Sequence, residues 1–207
     1  MKKRLVRYAI VWSILEMMIG LCRPGFAFSD GPLTELKTSV DEAVVILRDP
    51  ELKRPELKRI KKEQLVAIVN NRFDFEEMSR RTLARHWQGL GPEDQGLFVD
   101  LFARFLEGVY ISKIDKYNNQ DILYKRETVQ GERADVQSTV LHNGVEIPID
   151  YKMRTKGNKW LVYDVTIEGV SLVANYRSQF ESELRKGTFA DLVKKIEEKV
   201  ANLEAAN

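Results

Sequence analysis

The chain has 207 residues, 33 Lys and Arg against 31 Asp and Glu, a formal net charge of +2 and 43% hydrophobic residues. That near-balance argues for transient docking over strong charge steering, and no nucleic-acid partner is expected. Cys22 is the single cysteine, so no internal disulfide can form.

At the amino terminus Lys2, Lys3, Arg4 and Arg7 precede an apolar run from Tyr8 to Cys22, closed by Arg23-Pro24-Gly25. That order reads as a secretory signal peptide. A membrane anchor needs roughly 18 or more apolar residues, and Glu16 interrupts this run. Gly25 and Ala27 place small residues three and one before a cut, so residues 1–27 are expected to be removed and the mature chain to begin at Phe28. A lipid-modified Cys22 is disfavoured, because Leu21 stands where a small residue is wanted. The leader carries five bases and one acid, so the charge of residues 28–207 is −2. That length suits one domain with a sizeable core.

From Pro32 to Leu47 the residues Leu33, Leu36, Val40, Val44 and Leu47 recur at helical spacing, and Asp49-Pro50 ends the run. The segment ELKRPELKRIKKEQ follows, with Lys53, Arg54, Lys58, Arg59, Lys61 and Lys62. It reads either as a basic patch or as a solvated helix face, the latter favoured by Leu57, Ile60, Leu65, Ala67 and Ile68 on one side. Asp74 and Glu77 form a capping-box start for a helix through Met78, Leu83 and Trp87. A further helix opens at Pro92 and runs to about Tyr117. Phe98, Leu101, Phe102, Phe105 and Val109 share one of its faces; Leu106, Tyr110, Ile114 and Tyr117 form a second stripe about 100° away. Either this is a central helix packed on two neighbours, or the second stripe lines a hollow.

Beyond Asn118-Asn119 the period changes to two. Residues 122–130, 132–141, 145–156 and 159–167 read as four strands joined by short links, hence antiparallel. In the third, Val145, Ile147, Ile149, Tyr151 and Met153 alternate with Glu146, Asp150, Lys152 and Arg154, so one face of the sheet is dry. Pro148 lacks a ladder donor and places this strand at an edge or at a local irregularity. After a tight turn at Glu168-Gly169, Val170, Val173, Tyr176, Phe180 and Leu184 mark a helix that stops at Gly187. Thr188 with Asp191 caps the last helix, whose stripe is Phe189, Leu192, Val193, Ile196, Val200 and Leu203. The class is α+β: a four-stranded antiparallel sheet (about 122–167) wrapped by helices from both ends of the chain.

Chemistry is scarce. Ser171 lies between a strand and a helix, like the nucleophile of a hydrolase elbow, but Val173 occupies the place of the second glycine of G-x-S-x-G. Only His86 and His142 exist as bases, and no local motif aims either at Ser171. Ser171 reads instead as a helix N-cap. Metal, nucleotide and cofactor motifs are lacking, and Glu76-Glu77, Glu93-Asp94 and Glu197-Glu198 sit in first turns or on solvated faces. No enzyme activity and no cofactor is expected; binding is.

The order FDFEEMS, LARHWQGLGPEDQGLFVDLFARFL, GVEIPIDYKM and NKWLVYDVTIEGVSLVANYRSQF resembles the MlaC family, also called the toluene-tolerance family of periplasmic phospholipid-binding proteins. The likeness spans about Phe73 to Leu192, with Trp160, Tyr163-Asp164, Glu168-Gly169-Val170-Ser171, Asn175-Tyr176-Arg177 and Phe180 as its most specific part. Ala84 follows Leu83 where many members have glycine, and the ELKRPELKR insert departs from the pattern. The resemblance implies a carrier with bound phospholipid as cargo, working between an outer-membrane lipoprotein complex and an inner-membrane ABC transporter with an MCE-domain subunit. It implies an apolar cavity between sheet and helices. The second stripe (Leu106, Tyr110, Ile114, Tyr117), the dry sheet face (Ile147, Ile149, Tyr151, Val165, Ile167) and the elbow (Val170, Leu172) are its expected walls, with Val170 at the mouth. Asn175 and Arg177 either tie the helix to the sheet or, for Arg177, meet lipid phosphate. Competing readings are an exported adaptor without cargo, docking through Lys53 to Lys62, a carrier of another apolar lipid such as a hopanoid, and an esterase using Ser171.

Overall fold

The computed structural model describes residues 30–115, 117 and 119–206; the expected leader 1–27, with Cys22, and the expected start at Phe28 lie outside them. The described elements are α1 (Pro32–Arg48), two single 3₁₀ turns, α2 (Lys58–Arg72), α3 (Phe75–Leu83), a 3₁₀ stretch (Ala84–Gly89), α4 (Pro92–Ile114), strands β1 (Asp121–Gln130), β2 (Arg133–His142), β3 (Val145–Lys156), β4 (Lys159–Ile167) and β5 (Val170–Ser171), then α5 (Leu172–Leu184) and α6 (Phe189–Ala206). The strands form one antiparallel meander in the order β1-β2-β3-β4-β5. Among the described residues no helix is long and apolar enough to cross a membrane.

Five strands replace the expected four. Glu168 and Gly169 both take positive φ, 50° and 81°, as a two-residue hairpin turn requires, and the chain then pairs Val170 with Ile167 before turning into α5. Ser171 caps that helix, accepting from the Ala174 N–H at 3.0 Å. Its hydroxyl donates to Asp164 Oδ2 at 2.7 Å, while Asp164 Oδ1 accepts from the Val173 N–H at 3.1 Å. The elbow is thus a doubly capped helix start. Thr188 and Asp191 form the full reciprocal box before α6, each side chain accepting from the other's backbone N–H. Asp74 accepts from the Glu77 N–H at 3.1 Å, but Glu77 does not reach back; the Asp74 N–H donates to the Val162 carbonyl.

One sequence expectation is narrowed and one corrected. β3 is an interior strand, so of the two readings of Pro148 the edge fails and a local break in pairing remains. Pro148 is tolerated because the β3–β4 ladder begins one residue later, at Ile149 with Ile167, and the Pro148 carbonyl accepts from Glu168 in the turn; its missing donor faces the space where β4 has ended. α4 stops at Ile114 rather than near Tyr117, which lies in the link to β1.

A register shift at Lys152/Met153 leaves Tyr163 as an extra residue in β4. The bulge turns Tyr163 toward the helices, where the Arg81 guanidinium lies 4.3 Å from its ring centroid, while Val162 and Val165 both stay on the sheet's inner face. Phe98, Phe102, Tyr176 and Phe180 fill a helix core of α3 to α6 with ring centroids 5.5–5.8 Å apart. Leu36 of α1 packs on Val136, Met153 and Val162 of the sheet. Leu47, Leu65 and Ile111 join α1, α2 and α4. These three cores surround a space they do not fill.

Ala84 takes φ 48° and ψ −118°, a region that costs a residue with a Cβ about 1–3 kcal/mol. Glycine loses roughly 0.5–1 kcal/mol in chain entropy, so Ala84→Gly is expected to stabilise the fold by about 1 kcal/mol. Thermal unfolding should register a midpoint higher by roughly 2–4 °C.

Burial alone drives the Glu77 carboxyl upward, but hydrogen bonds from Arg80 and Arg81 outweigh it and hold the group below the ordinary carboxylate value. A depressed folded value means the unfolded chain takes up more protons below about pH 4.3. The stabilisation is present above that pH and lost as pH falls through the folded value. Urea unfolding between pH 3 and pH 6 should show a shallower acid loss in Glu77→Gln than in the wild type.

Candidate functional site: an apolar cavity between sheet and helices

The unfilled space is a cavity of about 660 Å³, within the range of ligand pockets, roughly 300–1,000 Å³. Its sheet wall is Ile122 of β1, Val140 of β2, Ile147, Ile149 and Tyr151 of β3 and Val165 and Ile167 of β4, and Leu172 closes the wall from α5. Leu106, Tyr110 and Ile114 come from the second stripe of α4, with Tyr117 just beyond it. Thus ten of the eleven residues expected as walls line one space. Val170 does not: it lies outside the lining and is 58% exposed, on the two-residue β5 at the outer edge of the sheet, where it pairs with Ile167.

The wall that the sequence reading missed is α1. Leu36, Val40, Ala43, Val44 and Leu47 face the cavity. Their helical spacing was visible, but a stripe that lines a hollow and a stripe that packs on a solid core have the same period. Ile68 and Val69 of α2 and Phe73 and Phe75 beyond it complete the lining on that side.

α1 is held in place by polar ties to distant segments. The Leu33 N–H in its first turn donates to Glu127 Oε1 of β1 at 2.8 Å, a carboxylate at a helix N-terminus. Arg72, at the end of α2 and part of the lining, pairs with Glu35 and donates to Ser39 Oγ at 2.9 Å and to the Trp160 carbonyl at 2.6 Å. Glu35 accepts from the Trp160 N–H at 3.1 Å. On the side of β4 away from β3 no strand lies beside Trp160, since β5 covers only the far end. The ion pair therefore satisfies both backbone groups of Trp160 that an edge would leave buried and unpaired.

Few polar groups interrupt the lining. Glu107 is its one acid among the described residues. Burial pushes its carboxyl upward, against a hydrogen bond with Asn70 and the charges of Lys62 and Arg104. Burial likewise raises Tyr151. The lining is therefore mostly apolar, with its polar groups few and scattered. Arg177 is away from the lining; its Nε donates to the Arg81 carbonyl at 2.8 Å, so it ties α5 to the end of α3 rather than to the sheet. His86 lies 3.0 Å from Glu181 and His142 beside Gln120, each with partners other than Ser171. In the basic segment, Lys61 is buried against Asp115 at 2.6 Å, and Arg54 and Arg59 pair with neighbouring glutamates.

Comparison with known proteins gives a consistent picture. The Toluene tolerance protein ttg2D of Pseudomonas putida is 31% identical over 97 residues, 46% of this chain and 45% of that protein, so the chain spans less than half the length of this relative. The Intermembrane phospholipid transport system binding protein MlaC of Haemophilus influenzae is 25% identical over 148 residues, 69% of this chain and 67% of that one. Among solved structures, the phospholipid-binding protein of Ralstonia solanacearum in complex with a phospholipid matches with a TM-score of 0.75 and 30% identity, over 84% of this chain and 99% of that one. The family model described as MlaC protein matches residues 37–198, which include every cavity-lining residue of α1 except Leu36, every strand and most of α6. This chain belongs to the MlaC protein family.

Proposed function

We propose that this protein is a periplasmic, non-enzymatic phospholipid carrier that takes lipid between an outer-membrane lipoprotein complex and an inner-membrane ABC transporter with an MCE-domain subunit, helping to maintain outer-membrane lipid asymmetry. The observation that carries the reading is the apolar cavity of about 660 Å³ held open between α1, α4 and the sheet. The names of the relatives support it: one is a phospholipid transport binding protein, another was solved with a phospholipid in place.

The physics of the cargo explains the architecture. Each methylene taken from water is worth about 0.8 kcal/mol, so roughly 30 chain methylenes present an aqueous barrier on the order of 20 kcal/mol. A carrier removes that barrier by replacing the membrane interior with its own apolar walls. The charged head must stay wet, because burying an unpaired phosphate costs more than the chains return. Residues 28–207 are read as one lipid-binding domain with Phe28 as the first mature residue. The test is transfer of a fluorescent phospholipid from donor to acceptor vesicles. Transfer should accelerate in proportion to added protein; a rate independent of protein would refute carriage.

A further inference from the structure

At one end of the cavity the lining ceases to be apolar. Arg48, in the last turn of α1 and exposed, donates from Nε to Asn119 Oδ1 at 2.9 Å and from Nη2 to the Tyr117 hydroxyl at 3.3 Å. The Tyr117 hydroxyl donates to the Gln120 carbonyl at 2.9 Å, and the Gln120 side-chain amide meets His142 Nδ1 at 2.9 Å. Tyr117, Gln120 and His142 all line the cavity. A hydrogen-bonded row thus runs from α1, through the α4–β1 link, to the β2–β3 hairpin.

The row is rich in donors and free of carboxylates. Among the described residues no acid pairs with Arg48. The acids nearby in the chain have other partners: Asp49 Oδ1 accepts from the Glu51 N–H at 2.9 Å, Asp115 holds Lys61 at 2.6 Å, and Glu146 holds Lys125 at 2.6 Å. Asp121 alternates with the cavity-lining Ile122 and so faces the other side of the sheet. A guanidinium presents five N–H donors in a planar fork and stays charged at any physiological pH. Beside an apolar slot, that fork matches the phosphate of a diacyl lipid, with the chains inside and the head at the solvent-exposed arginine.

We infer that the row Arg48, Tyr117, Gln120 and His142 is the recognition site for the cargo's phosphate, and that it selects phosphate-bearing diacyl lipids over diacyl lipids with uncharged heads. This rests on the carrier reading above.

The experiment offers lipid-free protein mixed vesicles of dioleoylphosphatidylglycerol and dioleoylglycerol, which differ in the phosphate head but share their chains, and reads the ratio bound by mass spectrometry. Wild type should favour the phospholipid. Arg48→Ala should lower the ratio about tenfold, the loss of one charge-assisted contact, with dioleoylglycerol uptake unchanged; Arg48→Lys should lower it less. An unmoved ratio, or equal loss of both lipids, would overturn the inference, the latter by showing that Arg48 only supports the wall. Failure of wild type to take up either lipid would instead bring down the carrier reading, and this inference with it. Inorganic phosphate titrated into lipid-free protein should show no saturable binding that depends on Arg48. Such binding with an unmoved lipid ratio would assign the site to free phosphate and overturn the inference.

Discussion

Ile149→Glu is expected to yield folded protein without bound lipid. Ile149 lies mid-wall on β3, between Ile147 and Tyr151 in the lining and opposite Ile167 on β4. In a solid core, an unpaired buried carboxylate would cost several kcal/mol and unfold much of the population. Here the side chain borders an existing cavity, so once cargo is absent water can hydrate the new charge. The remaining penalty is the isoleucine's own lost burial, about 1–2 kcal/mol, while a charged wall removes the apolar surface that acyl chains require. Val170→Glu is the matched control. Val170 is outside the lining and 58% exposed, so a charge there should leave both stability and lipid content as they were. Lipid extraction and thermal unfolding of the two variants check the pair. Full lipid in Ile149→Glu would place the slot elsewhere, and unfolding of Ile149→Glu would mean that the wall is packed solid.

Arg72→Ala should be the most destabilising single substitution in the cavity wall. The side chain is buried, pairs with Glu35, and holds Ser39 and the Trp160 carbonyl. Removing it leaves the Glu35 carboxylate without its cation, with Glu35 Oε1 already lacking a hydrogen-bond partner. Breaking a buried pair from one side costs about 3–5 kcal/mol, and the freed Trp160 carbonyl adds a buried acceptor with no donor. Adding Glu35→Leu to Arg72→Ala should recover only part of the loss, because the Trp160 N–H then also lacks a partner. Urea unfolding of the single and double variants measures this. A loss under about 1 kcal/mol for Arg72→Ala would show that the pair does not fasten α1.

The sequence announced much of this and concealed the rest for identifiable reasons. The alternation of β3 predicted the dry face that became the cavity wall, since strand geometry converts period two directly into sidedness. Ser171 and Thr188 were legible because capping is local, set within three residues of chain. The two stripes of α4 showed that the helix has two apolar neighbours, one of which proved to be a cavity. Three features could not be read this way. Glu127 meets Leu33 across 94 positions and Arg72 meets Trp160 across 88, and no local pattern reports contacts so distant. The bulge at Tyr163 breaks the alternation of β4 in a segment whose residues, WLVYDV, are apolar on nearly every position, so periodicity had nothing to reveal. β5 is two residues long, too short for a period to show, and it forms the outer edge of the sheet, leaving Val170 exposed beyond the lining where the sequence placed it at the mouth.

The claim that the space between α1, α4 and the sheet holds a phospholipid is tested most directly by native mass spectrometry of the protein purified without detergent, followed by organic extraction. The expected result is a bound species whose mass matches a diacyl phospholipid, absent from Ile149→Glu and retained by Val170→Glu. Protein that repeatedly carries no diacyl lipid, while its cavity-wall variants behave like wild type, would contradict the account.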